Sequence, residues 1–202
     1  MGLNLINRLG PLRPLILSAW RWDAQNKYKR FQQVLNPGER IVDVGSGYGT
    51  VTQLLREKQF EVIPVDVNDQ SYQPELSPVI YDGRSLPFKA QELDTALLLT
   101  VLHHTPNPEQ VLAEAMRVSK KLIVIEDVYK NSLQKYLTFF ADSFFNFEFR
   151  GHPHSNKTRK GWEQCCHQLG LRLKVIRSDR FLLFFRQETY LIQPTAVEQA
   201  SA

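Results

Sequence analysis

The chain has 202 residues, enough for one substantial hydrophobic core and, on length alone, one domain. Hydrophobic residues make up 43% and charged residues 23%, a balance that excludes a disordered or fibrous chain, and no apolar run approaches the length of a bilayer-spanning helix. The net charge of +4 is uneven: residues 1–40 carry seven Lys or Arg against two acids and residues 150–186 carry nine against two, so the remainder is acidic. Two basic patches could meet a polyanion if they converged, but neither carries a recognisable nucleic-acid motif, and nucleic acid is disfavoured as a partner. The opening stretch is interrupted by Arg8, Arg13 and two prolines and lacks a cleavage signal, so no secretory peptide is expected. Cys165 and Cys166 are adjacent, a spacing that suits neither a crosslink nor a metal; they are expected to fill a helix and its surface in a reducing cytoplasm.

In chain order, residues 1–19 read as a loose arm or short amphipathic helix broken by the Gly-Pro at 10–11 and by Pro14. The spacing of Trp20, Ala24, Tyr28, Phe31 and Leu35 predicts a helix over 20–35, stopped by Asn-Pro-Gly. "RIVDV" is a buried strand entering a glycine turn, and "TVTQLLREKQF" is a helix. "EVIPVDV", "SPVIYD" and "ELDTALLLTVL" supply strands two, three and four. "NPEQVLAEAMRV" is a helix with Val111, Leu112, Ala115 and Met116 inward, and "KLIVIEDV" is strand five. "LRLKVIRS" and "FLLFFRQETYLIQ" close the domain as a strand pair, and the tail after Pro194 is expected to fray. Strands alternating with helices imply a mostly parallel sheet covered on both faces, with an antiparallel edge from the terminal pair. Ligands of such sheets bind beyond the carboxyl ends of the strands, where the strand order reverses.

The turn after strand one therefore matters. It contains Asp43, Gly45, Gly47 and Gly49, and glycine there permits both a positive φ and a close approach of ligand to backbone. A dinucleotide fingerprint counted from Gly45 needs glycine at residue 50, where Thr50 stands. The spacing departs from a pyrophosphate site and suits a nucleoside cofactor without phosphates. Asp66 ends strand two, and a carboxylate in that place can accept hydrogen bonds from both ribose hydroxyls.

Taken in order, "VDVGSGYG", "VIPVDV", "VIYDGRSLPF" and "LDTALLLTVLHHTPNPEQVLAEAMRVSKKLIVIED" resemble the class I S-adenosylmethionine-dependent methyltransferases, in their small-molecule, ubiquinone-biosynthesis-like branch. The resemblance covers roughly residues 36–192 and departs from many relatives at "RVSKKL", where they carry a Gly-Gly turn before strand five. It implies a Rossmann-like α/β fold: a seven-stranded, mostly parallel sheet with an antiparallel terminal strand and helices on both faces. Residues 1–35 would be an amino-terminal arm and cover helix, 36–193 the methyltransferase domain, and 194–202 a tail. It also implies S-adenosyl-L-methionine as cofactor, with Asp43, Gly45 and Gly47 at its methionine end, Asp66 and Val67 at the ribose, Asp82 and Gly83 at the adenine, and Thr100 beside the cleft. The reaction would be in-line displacement at the methyl carbon, and no metal is expected.

The acceptor side is less defined. His103 and His104, just beyond strand four, are candidates for a base or a hydrogen-bonding group, and an architectural role is equally open. Glu126 and Asp127 end strand five, one of them facing the cleft mouth. Seven of the fourteen residues in "YLTFFADSFFNFEF" are Tyr or Phe, so the segment reads as part core helix and part hydrophobic substrate cover within 130–160. Tyr129, Phe140, Phe144, His152 and His154 are the substrate-binding candidates. The basic rim suits a carboxylated or phosphorylated acceptor, or an anionic membrane surface touched peripherally with help from the amino-terminal arm. The expected protein is a cytoplasmic monomer or weak dimer. Two alternatives stay open: a non-catalytic cofactor-binding or partner module, and an RNA or other nucleic-acid methyltransferase.

Overall fold

The computed structural model describes residues 10–128, 157–181 and 185–195. The expected acceptor-side cover lies outside them but for its last residues, and so does the tail beyond Thr195. The first long helix, α1 (Arg13–Phe31), begins seven residues before the sequence periodicity predicts. Pro14 sits in its first turn rather than breaking it, because the N–H that proline lacks has no intrahelical partner there. A single 3₁₀ turn, Gln32–Val34, leads out of α1. β1 (Arg40–Val44) then enters the glycine turn, and α2 (Thr50–Glu57) leaves it with Gly49 as its N-cap. Next come β2 (Glu61–Asp66), the two-residue β3 (Val79–Ile80) and β4 (Leu93–Leu99).

α3 (Pro108–Val118) runs directly into β5 (Ser119–Val128). Ser119 stands where, by the resemblance, many relatives carry a Gly-Gly turn. It is already extended at φ −133°, and its hydroxyl donates to the Ala115 carbonyl, satisfying one of the orphan acceptors at the end of the helix. α4 (Arg159–Gln168) is capped by Thr158, whose side chain accepts from Gly161 N–H. β6 (Leu171–Phe181) and β7 (Phe185–Pro194) form the terminal pair.

The seven strands make one sheet in the order β3-β2-β1-β4-β5-β7-β6. β7 is antiparallel to both β5 and β6, and the other neighbouring pairs are parallel. The central strands are buried on both faces, which is why they read as unbroken apolar runs. One face packs Val42, Val44, Ala96, Leu98, Leu122 and Val124 beneath α3 and α4. The other packs Ile41, Leu97, Leu99, Ile123 and Ile125 beneath α1 and α2, with Ala24, Phe31 and Leu55 completing that layer. The helix that the sequence suggested as a cover is therefore also a core element. Cys165 and Cys166 are both buried against the first face, so neither lies on the helix surface as expected, and burial pushes their thiols up to about 11 and about 12.

Candidate cofactor and active site

The strand order reverses between β1 and β4, so the crevice falls between the glycine turn and the turn after β4. The glycine turn is pinned from β2, because Gly45 and Ser46 both donate to the Val65 carbonyl, at 2.8 and 3.2 Å. Its glycines have different surroundings. A Cβ on Gly45 (φ +71°) would lie 2.6 Å from Val101 Cγ2, whereas one on Gly47 (φ +53°) would meet no atom within 4 Å. Gly45 thus allows close packing against the opposite turn, and Gly47 presents bare backbone to open space.

The residues assigned to ribose and adenine stand together. Asp66 Oδ2 accepts from Gly47 N–H at 2.8 Å and Oδ1 accepts from Asn68 N–H at 3.2 Å, so the carboxylate already bridges the end of β2 and the glycine loop. Val67 beside it is 48% exposed. Gly83 packs across it, its virtual Cβ 3.4 Å from Val67 Cγ1. Asp82 Oδ1 accepts from the backbone N–H groups of Arg84 and Ser85, each at 2.8 Å, and those bonds hold its carboxyl below the usual carboxylate range. The arrangement offers a carboxylate for a diol, an apolar surface for a flat ring, and a turn at the ring's edge.

Asp43 is buried and turned toward α2, where the Thr52 hydroxyl donates to Oδ2 at 2.7 Å. Burial lifts its pKa to about 6, opposed in part by the Thr52 bond. It fastens the end of β1 to the first turn of α2, beneath the loop that the other residues expose.

The turn after β4 begins with Thr100, a β-branched residue at φ +63° whose N–H donates to the Ile125 carbonyl at 2.7 Å. A 3₁₀ turn, Leu102–His104, follows. His103 is buried, with Nδ1 2.6 Å from Glu126 Oε2. A carboxylate oxygen accepts, so the ring proton sits on Nδ1. His104 is half-buried, its ring centroid 4.0 Å from that of His103. Glu126 is itself fully buried and does not face the cleft mouth as a contact for an acceptor. The signal for that was present in the sequence: an acid inside an otherwise apolar strand needs an internal partner.

The amino-terminal helix, expected as a cover, meets the glycine loop through aromatic side chains that the sequence did not assign to the site. Trp20 of α1 stacks on Tyr48 with ring centroids 4.1 Å apart and planes 14° apart, and Tyr72 meets Trp20 edge-on at 6.1 Å. A cavity of about 260 Å³ lies between this cover and α2, lined by Leu17, Ser18, Arg21, Thr50, Gln53, Leu54, Tyr72 and Gln73. Asp66, Val67, Asp82 and Gly83 do not line it.

Tyr129, Phe140, Phe144, His152 and His154 lie outside the described residues. Glu188 of β7 is fully buried and held by Arg159, Arg186 and the Tyr190 hydroxyl. Among the described residues, no three His, Cys, Asp or Glu are grouped to hold a metal, and no helix is long and apolar enough to cross a membrane.

The sheet order and its flanking helices define a doubly wound α/β domain, and comparison with known proteins gives its family. Residues 20–174 match the family described as a methyltransferase domain, and the chain belongs to it. A demethylmenaquinone methyltransferase of Renibacterium salmoninarum is 28% identical over 99 residues, 45% of this chain and 42% of that protein. A ubiquinone biosynthesis O-methyltransferase of Hahella chejuensis is 22% identical over 122 residues, 49% of this chain and 51% of its own. The chain spans about half the length of these curated relatives. Among solved structures, a magnesium protoporphyrin IX methyltransferase from Synechocystis with bound S-adenosylhomocysteine superposes with a TM-score of 0.62 at 16% identity, covering 87% of this chain and 83% of that one. A methyltransferase from Aquifex aeolicus gives 0.60 at 17% identity, with 95% and 98% covered. These likenesses show the fold.

Proposed function

We propose that the protein transfers a methyl group from S-adenosylmethionine to a small, partly hydrophobic acceptor and releases S-adenosylhomocysteine. The observation that carries this reading is the grouping of open backbone at Gly47, the Asp66 carboxylate and the exposed face of Val67 at the point where the strand order reverses. An adenosyl group fits those residues: Asp66 would exchange its bond from Gly47 for the ribose hydroxyls, Val67 would lie under the adenine, and Asp82 and Gly83 would border its edge. Gly45, Gly47 and Thr100 would flank the methionine end. When bound, the donor supplies a methyl already activated by its sulfonium, so the protein's task is to align and to exclude water rather than to activate.

His104 is the better placed of the two histidines to reach an acceptor, since His103 is buried against Glu126. The relatives named for demethylmenaquinone and ubiquinone support an acceptor with an aromatic head and apolar substituents. Tyr129, Phe140, Phe144, His152 and His154 keep their proposed place as the acceptor's cover. The test is direct. Binding of S-adenosylmethionine together with release of S-adenosylhomocysteine in the presence of hydroquinone-type phenols supports the proposal. Binding with no turnover across a broad acceptor panel favours a non-catalytic binding module, and turnover confined to RNA favours the nucleic-acid alternative.

A further inference from the structure

We propose that Glu126 is a positioning residue for the methyl-donor seat: from inside the sheet it sets the turn after β4 and, through Val101, the stance of Gly45 against the donor's methionine end. The proposal rests on the seat assigned under Proposed function. Glu126 Oε1 accepts from the backbone N–H groups of Val101 and Leu102, at 3.0 and 2.8 Å, while Oε2 accepts from His103 Nδ1–H at 2.6 Å. One carboxylate thus holds three consecutive residues. The segment it holds starts from Thr100 in the left-handed region, a conformation unfavourable for a β-branched residue, which its surroundings must offset. Val101 in turn packs so closely on Gly45 that no side chain fits between them. The line of contact runs from Glu126 to Val101 to Gly45.

The carboxylate is costly where it is. It pairs in register with Glu188 across β5 and β7, so two fully buried acids of like charge are neighbours on one face. Glu188 is compensated by two arginines, whereas Glu126 is compensated by the turn itself and His103. An apolar residue would serve the packing of β5 at least as well. What Glu126 adds is the shape of the turn facing the cofactor.

Glutamine should keep that shape. Its carbonyl can accept from Val101 and Leu102, and its amide can donate to His103 Nδ1 if the ring proton moves to Nε2. Leucine keeps the volume and satisfies none of the three. Calorimetric titration with S-adenosylhomocysteine would compare wild type, Glu126→Gln, Glu126→Leu, Val101→Ala, the Glu126→Leu/Val101→Ala double variant and Asp66→Ala, each checked by thermal unfolding. The expected result is a tenfold or greater loss for Glu126→Leu, affinity within about threefold of wild type for Glu126→Gln, and a double variant no weaker than the weaker single. Nitrogen-15 spectra of the His103 ring should show its proton on Nδ1 in wild type and on Nε2 in Glu126→Gln. Wild-type affinity in a folded Glu126→Leu, with Asp66→Ala weakened, overturns the positioning role and leaves the seat standing. Wild-type affinity in Asp66→Ala overturns the seat itself. If Glu126→Leu does not fold, Val101→Ala decides: a loss of at least fivefold supports the route through Gly45, and unchanged affinity refutes it.

Discussion

Asp43 makes its hydrogen bonds to Thr52 in a fully enclosed site, and burial raises its pKa from 3.8 to about 6. The folded chain therefore binds this proton more tightly than the unfolded chain does. The stability that goes with it is complete below about pH 4 and is lost as the pH rises through 6. Asp43→Asn keeps an acceptor for Thr52 and removes the buried charge. Thermal unfolding should show the variant more stable than wild type at pH 7, by up to about 3 kcal/mol, with the difference vanishing toward pH 4. A difference that does not change with pH would refute the buried, raised carboxyl. The two neighbouring glycines give a complementary contrast. Gly45→Ala must both adopt a positive φ and displace Val101, and should destabilise by about 2 kcal/mol or more. Gly47→Ala meets only open space, so its cost should be the conformational one of about 1–2 kcal/mol, while cofactor affinity falls at least tenfold. Equal effects of the two substitutions on stability and affinity would contradict the division of labour within the turn.

At the scale of elements, α1 serves the core through Ala24 and Phe31 and the glycine loop through Trp20. Trp20→Ala should leave the first role intact and impair the second. Unfolding stability should fall by about 1–2 kcal/mol and S-adenosylhomocysteine affinity by severalfold, since the Tyr48 ring loses its stacking partner. Unchanged affinity would make the stack a structural contact only. α4 makes a different prediction. With both thiols buried and their pKa values raised, Cys165 and Cys166 should resist a disulfide-exchange reagent at pH 8 in the folded chain and react on denaturation. Rapid labelling of the native protein would place α4 elsewhere. Element identity was legible in the sequence because apolar runs switch cleanly between strand and helix periods. The start of α1 was not, because a proline reads as a break until its place in the first turn is known. The passage from α3 to β5 was obscured because Ser119 does, through a hydroxyl bond to Ala115, what glycine usually does through its backbone.

For the whole molecule, a mostly parallel sheet and the rule that its ligands sit beyond the carboxyl ends of the strands were legible in the alternation of elements, whereas the strand order, with its reversal between β1 and β4, is seen only in the folded chain. On the proposed cofactor side, Asp66 could be named from its place at the end of strand two, whereas Val67, Asp82 and Gly83 were named by the family resemblance that "VIPVDV" and "VIYDGRSLPF" carry. The bond from Val101 to Glu126, the packing of Val101 on Gly45 and the stack of Trp20 on Tyr48 were not legible, because they join residues 25 or more apart that only the folded chain brings together. The central claim is that the ends of β1 and β2 and the turn at Asp82 seat an adenosyl group. The most direct measurement is calorimetric titration of the full chain and of Asp66→Ala with S-adenosylhomocysteine. The wild type should bind one-to-one and the variant should lose about tenfold to a hundredfold in affinity, with its unfolding transition preserved. Absence of binding by the wild type, or equal affinity in a folded Asp66→Ala, would contradict it.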